Sequence, residues 1–189
     1  MICSYRRAGT VGLPLLGVEA KVCDAAGLEL PRGEIGTLEV RGPNVFQGYW
    51  QMPEKTAAEL HRDGFFITGD LAQQDADCYV TIVGRGKDLI ISGGLNIYPE
   101  EIEAVLDAQP GVIESAVIGV PHSDLGEAAV GVLATLDSVD TDAVLAALRI
   151  TLARFKHPRK LIIVSELPRN SMGKVQKASL REAYRDLFD

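Results

Sequence analysis

The chain changes its sequence pattern once, between Gly84 and Pro99, and that change limits what it can fold into. Upstream, Val18-Glu19-Ala20-Lys21-Val22-Cys23 and Gly36-Thr37-Leu38-Glu39-Val40-Arg41-Gly42 alternate with period two, as half-buried strands do. Asp24-Ala25-Ala26-Gly27 and Pro31-Arg32-Gly33 supply turn chemistry between them. Pro53–Leu60 predicts a short helix with proline in its first turn. Phe65-Phe66-Ile67 and Cys78–Val83 predict further strands, so this part reads as a small barrel or a distorted sheet. Downstream, strands alternate with helices. Helices are expected over Pro99–Ala108, Asp142–Arg154 and Lys177–Leu187, with strands over Val112–Val120, Ala128–Leu136 and Leu161–Val164. This is the pattern of a small α/β domain.

Where the two patterns meet, Thr81-Ile82-Val83 runs into the charged turn Gly84-Arg85-Gly86-Lys87-Asp88, and a second apolar run, Leu89-Ile90-Ile91, stops at Gly93-Gly94. Glycine frees φ and the ionic residues favour water, so the segment reads either as a hinge between two packed bodies or as a solvated hairpin tip. The expected division is 1–86 and 87–189, and the class is α+β, a β-rich piece followed by a small α/β domain.

A chain of 189 residues with 47% apolar and 24% charged residues has an ordinary globular composition. Its net charge of −7 argues against a nucleic-acid surface, and no apolar run approaches the roughly 18 residues of a membrane span. Cys3, Cys23 and Cys78 are odd in number and widely spaced, as reduced thiols are, and no metal-ligand spacing appears among them and the three histidines. The first residues resemble neither a signal peptide nor a transit segment, so a cytoplasmic location is expected, with organellar targeting left open.

Four short features could carry chemistry. Asp70, after Ile67-Thr68-Gly69 at the expected end of a strand, could accept hydrogen bonds from vicinal ribose hydroxyls, or could cap a turn. Arg85 could donate to a nucleotide. Gly93 and Gly94 could admit a thin ligand, although a bulge would also ask for glycine. Lys174, in Pro168-Arg169-Asn170-Ser171-Met172-Gly173-Lys174-Val175, could bring a point charge to a developing oxyanion or could be a surface lysine. The segment is not a phosphate-cradling P-loop, because Pro168 and Val175 stand where that motif needs glycine and a hydroxyl residue.

These motifs occur in one order: Gly36, Gly48-Tyr49-Trp50, Phe66–Asp70, Gly84–Asp88, Gly94, Ile102-Glu103, Phe155-Lys156-His157-Pro158 and Asn170–Lys174. The series resembles the adenylate-forming superfamily of acyl- and aryl-CoA synthetases, peptide-synthetase adenylation domains and luciferases. Gly42–Trp50, Met52–Thr56, Asp63–Phe66, Asp88–Gly94 and Leu167–Lys177 look most like malonyl-CoA synthetases.

The resemblance implies a two-step ligase. ATP and a small carboxylate give an acyl-adenylate and pyrophosphate, and the thiol of CoA then displaces AMP. It implies that Asp70 and Arg85 hold the nucleotide and that Lys87 is a hinge. It also implies that Gly93 and Gly94 line the CoA path and that Lys174 stabilises the adenylation transition state. Acetylation would remove that charge, so a lysine acetyltransferase and deacetylase are implied partners.

The family's phosphate loop, adenine-binding segment and Tyr-Gly-x-Thr-Glu element, with its Mg²⁺-associated glutamate, would precede Met1 in family order. The expected identity is thus the C-terminal portion of such an enzyme, inactive alone. Lys177 stands where many relatives carry arginine, and Phe155 where many carry tyrosine. The alternatives are a non-catalytic nucleotide- or CoA-binding remnant, or an adenylation domain that loads a carrier protein. The chain closes at Leu187-Phe188-Asp189 soon after the Lys174 segment, which argues against the latter.

Overall fold

The computed structural model describes residues 6–135 and 139–188. The chain forms two compact units, Met1–Lys87 and Asp88–Asp189.

The first unit is an antiparallel meander of β1 (Glu19–Cys23), β2 (Ile35–Arg41), β3 (Phe66–Gln74) and β4 (Val80–Arg85), with the short helix α1 (Pro53–Glu59) between β2 and β3. Val22, Leu38, Ala72 and Val80 form its buried core. The sheet is open. Among the described residues β1 and β4 remain at opposite ends of the order β1-β2-β3-β4, so of the two expected shapes this is a distorted sheet and not a closed barrel. Its distortion lies in two register shifts, opposite Leu38 and between Leu71 and Ala72.

The second unit has a five-stranded sheet. β5 (Ile90–Ser92) and β6 (Leu95–Ile97) form a hairpin; β7 (Val112–His122) and β8 (Gly126–Thr135) pair along their lengths; and β9 (Lys160–Val164) lies parallel to β8. The expected strand over Ala128–Leu136 is β8, except that Leu136 lies outside the described residues. A parallel neighbour requires a crossover, and α3 (Thr141–Thr151) provides it.

Period two decides which face each strand residue serves. Val117, Ala129 and Leu133 pack with Ile102 and Leu106 of α2 (Pro99–Asp107) and with Val144 and Leu148 of α3. Ala116, Ile118, Val120, Val130, Val132 and Ala134 face the other way, onto Leu167 and Leu180, the latter from α4 (Lys177–Ala183). β8 is therefore buried on both faces and reads as a nearly continuous apolar run, Ala128–Ala134. Gly131 is required by close packing, because a Cβ there would lie 2.8 Å from Leu161 and 3.4 Å from Leu106.

Helix starts follow local chemistry. Pro99 opens α2, with Glu100 and Glu101 in the first turn where the macrodipole favours acid. Asp140 caps α3 by accepting from the amides of Asp142 and Ala143. α3 and α4 stop short of the expected Arg154 and Leu187. Residues Arg154–Lys156 instead form a single 3₁₀ turn before Pro158, whose ring disfavours helix in the residue preceding it.

Candidate functional site

The strand carrying Asp70 does not end there, as the sequence led one to expect. It continues to Gln74. β2 pairs with β3 at Thr37 and Leu71 and again at Glu39 and Ile67, so Leu38 alone opposes Thr68, Gly69 and Asp70. The surplus forms a bulge, and Gly69 at φ +76° turns it. The Thr68 hydroxyl donates to the Leu38 carbonyl at 2.9 Å and accepts from the Asp70 amide at 3.1 Å, which fixes the bulge.

Asp70 is also the register partner of Arg85 on β4, and Arg85 Nε lies 2.9 Å from Asp70 Oδ1. The structure thus brings together the two residues expected to hold a nucleotide. The carboxylate is partly shielded, at 22% exposure, and the guanidinium is 53% exposed. An ion pair this open contributes at most about 1 kcal/mol to stability, so its value is in orientation.

Beyond Arg85 the hairpin-tip reading fails. β4 and β5 belong to different sheets, and Gly86–Asp88 is one 3₁₀ turn. Asp88 is buried, at 9% exposure, and paired with Arg181 of α4, not solvated. The division between the compact units falls between Lys87 and Asp88.

In the second unit, Gly93 and Gly94 are the two residues of the β5–β6 turn, with Ser92 opposite Leu95. Their φ values of +57° and +79° are those of a type I′ turn, which matches strand twist and demands left-handed residues. A tight hairpin turn, and not a bulge, asks for these glycines, and beyond its two chain neighbours no described residue comes within 4 Å of where a Cβ on Gly94 would sit. Gly93 lines a groove of about 1140 Å³ together with Ala129, Leu145 and Leu161. Arg149, Arg154, Arg159 and Lys160 bring positive charge to that groove. None of these four was singled out from sequence, because they are scattered over the end of α3, the 3₁₀ turn and the start of β9 and form no run.

Lys174 closes a small polar turn. Arg169 bridges Val175, the Asn170 amide donates to the Lys174 carbonyl at 2.9 Å, and Gly173 takes φ +77°. The Asn170 side chain accepts from the amides of Met172 at 3.0 Å and Lys174 at 2.9 Å. Arg169 donates to the Gly173 carbonyl at 2.6 Å and pairs with Glu114 of β7. The ammonium-bearing side chain is exposed. Leu167 and Leu180, which flank the turn, pack on one face of the sheet, whereas the groove beside Gly93 lies over the residues of the other. The structure therefore does not bring Lys174 and the paired glycines together.

Residues 101–174 match the AMP-binding enzyme C-terminal domain, and residues 2–50 match the AMP-binding enzyme family. A feruloyl-CoA synthase from Amycolatopsis is 42% identical over 94% of this chain and 36% of its own length. A long-chain-fatty-acid–CoA ligase from Salmonella typhimurium is 40% identical over 96% of this chain and 32% of its own. The crystal structure of ATP-bound MatB from Rhodopseudomonas palustris superposes with a TM-score of 0.89 at 57% identity, covering 96% of this chain and 37% of that one. The chain thus spans about a third of the length of these relatives.

Proposed function

The chain belongs to the AMP-binding enzyme family, carrying its C-terminal domain, and from that premise we propose that it serves as the C-terminal part of an ATP-dependent acid–thiol ligase acting through an acyl-adenylate. The observation that carries this reading is the Asp70–Arg85 pair, set by a bulge and a register partnership within a chain 57% identical to an ATP-bound enzyme.

In the first half-reaction a carboxylate oxygen attacks the α-phosphorus of ATP and pyrophosphate leaves. Asp70 accepts from the ribose hydroxyls, and Arg85 holds that carboxylate while adding a contact to the nucleotide. Lys174 places its ammonium where negative charge builds on the carboxylate and α-phosphate oxygens. In the second, the CoA thiolate attacks the acyl carbon and AMP leaves. Gly93 and Gly94 give the pantetheine arm close passage to the backbone, and Arg149, Arg154, Arg159 and Lys160 suit the groove to a polyanionic thiol. Lys87 is the pivot between the two states.

Among the described residues no group of three or more His, Cys, Asp or Glu side chains could hold a metal ion, so no step is assigned to Mg²⁺ here. Malonate is the proposed acid, on the likeness of Gly42–Trp50, Asp88–Gly94 and Leu167–Lys177 to malonyl-CoA synthetases. Acetylation of Lys174 is the proposed means of switching adenylation off.

Joining this chain to the N-terminal remainder of the Rhodopseudomonas palustris MatB tests the reading. The hybrid should form malonyl-CoA from ATP, Mg²⁺, malonate and CoA, while the chain alone forms none. A folded hybrid with no malonate-dependent pyrophosphate exchange refutes the ligase. Nucleotide or CoA binding without exchange would identify a binding remnant, and transfer to a carrier protein in preference to CoA would identify a carrier-loading enzyme.

A further inference from the structure

α4 starts three residues after Lys174, and its first residue and the one a turn later are both basic. Lys177 Nζ lies 2.7 Å from Glu103 Oε1 of α2, with the two side chains 15% and 16% exposed. Arg181 pairs with Asp88, at 30% and 11% exposure. Residues i and i+4 share one helix face, so α4 grips two acidic residues along a single side. Among the described residues, the other ion pairs of the second unit, such as Arg169–Glu114 and Lys156–Glu101, each include a partner at least 40% exposed.

What the grips attach to is informative. Glu103 also accepts the Val117 amide at 2.6 Å. Val117 lies on β7, an edge strand of its sheet, so this carboxylate is fixed to the sheet as well as to α4. Asp88 directly follows Lys87 and belongs to the turn Gly86–Asp88. α4 therefore joins the segment that leaves Lys174 to the sheet edge at one point and to the first residue of the second unit at another.

Stability alone is a weak reason for such pairs. Removing two charges from water costs several kcal/mol per ion, and well-packed apolar residues often do as well or better. A shielded pair of fixed geometry does supply definite placement. An adenylation charge must sit close to its target, because a displacement of 1 Å can lower a rate by about 10².

We propose that Lys177 and Arg181 are positioning residues for Lys174, whose ion pairs with Glu103 and Asp88 hold the start of α4 so that Lys174 moves as one body with the segment beginning at Asp88. This rests on the ligase reading for its catalytic consequence, but its mechanical content concerns this chain alone.

Two measurements test it. In the isolated chain, Lys177→Met should lower the amide order parameters of Gly173 and Lys174 from the rigid range near 0.85 towards about 0.6, with β8 unchanged. In the hybrid ligase, the same variant should lower kcat for adenylation by about 10- to 100-fold with KM for ATP unchanged. It should spare thioester formation from supplied malonyl-adenylate, and Lys177→Arg should restore the rate. Arg181→Met should act in the same direction.

Lys177→Met leaves Glu103 shielded without its cation, so the double variant Glu103→Gln/Lys177→Met, which leaves neither charge, must show the same losses in a folded protein. Unchanged order parameters, an equal fall in both half-reactions, or failure of arginine to restore adenylation would overturn the proposal. A parent hybrid that makes no adenylate would count against the ligase reading, and the order parameters would still decide the positioning role.

Discussion

The Lys174 turn is flanked by residues packed on one face of the five-stranded sheet, whereas the Gly93–Gly94 hairpin belongs to that sheet and lies beside a groove over its other face, and the two are made in different ways. The turn is built from side chains: Asn170 holds two amides, Arg169 holds a carbonyl and Glu114, and its chemical content is one ammonium group. The hairpin is built from backbone: two left-handed residues close it and no side chain is involved at its tip. A charge acts by where it is placed, whereas a glycine pair acts by what it leaves out. On the proposed reading, one unit carrying both would present either by turning as a whole. The comparison breaks if a substitution at one end disables the other.

The largest separation is expected from Lys174→Ala in the hybrid ligase. Adenylation should fall by about 10²–10³, as when one preorganised electrostatic donor is removed. Thioester formation from supplied acyl-adenylate should stay near the parent rate. Rapid-quench measurement of each half-reaction decides it, and equal losses would merge the two ends into one site.

Leu106→Ala should do the opposite by weakening what both ends share. Leu106 is fully buried between α2 and the sheet, against the face left open by Gly131. The expected loss is about 2–5 kcal/mol in urea unfolding of the second unit. At temperatures where the variant remains folded the two half-reactions should keep their ratio; a changed ratio would mean that the sheet does not act as one body.

A smaller effect is expected from Gly94→Val. There is room for a side chain, so the cost is torsional: a β-branched residue at φ +79° costs about 1–3 kcal/mol. Thioester formation should fall and adenylation should not, as read from the KM for CoA against the rate of pyrophosphate exchange.

How much of this was legible in the sequence depended on the kind of interaction. Period two placed Leu38 and Val40 in a strand, and the apolar run over Ala128–Leu136 was read as a strand, because burial is written directly in residue type. Asp70 was singled out as a candidate but placed at a strand end, since the bulge that carries it arises from a three-against-one register that no local pattern encodes. Asp88 reads as one more charge in a polar turn, yet it is buried because Arg181, 93 positions away, covers it. Glu39 should face solvent by alternation, but it is 2% exposed, with Lys21 Nζ 3.0 Å away on the neighbouring strand. Apolar burial could be read residue by residue. Buried charge could not, because it depends on partners that only the fold supplies.

The smallest expected effect tests which kind of pair joins α4 to α2. The Glu103 carboxyl is pushed above the ordinary glutamate value, chiefly by desolvation, with Glu100 adding to the rise and Lys177 and the Val117 amide opposing it. The folded protein therefore holds this proton more tightly than the unfolded chain. The sign follows: the contribution is fully present below the ordinary value of 4.5 and is lost as pH rises through the folded value. Glu103→Gln keeps an acceptor for Val117 and Lys177 but does not titrate. The difference in unfolding free energy, parent minus variant, should thus be greatest in acid and decline as pH rises above 4.5. A conventional surface salt bridge gives the opposite slope, since its carboxyl is lowered. A rising difference in urea titrations across this range would show that attraction to Lys177 outweighs desolvation. The link between α2 and α4 would then be a source of stability, and the case for retaining it as a device of placement would lose its physical ground.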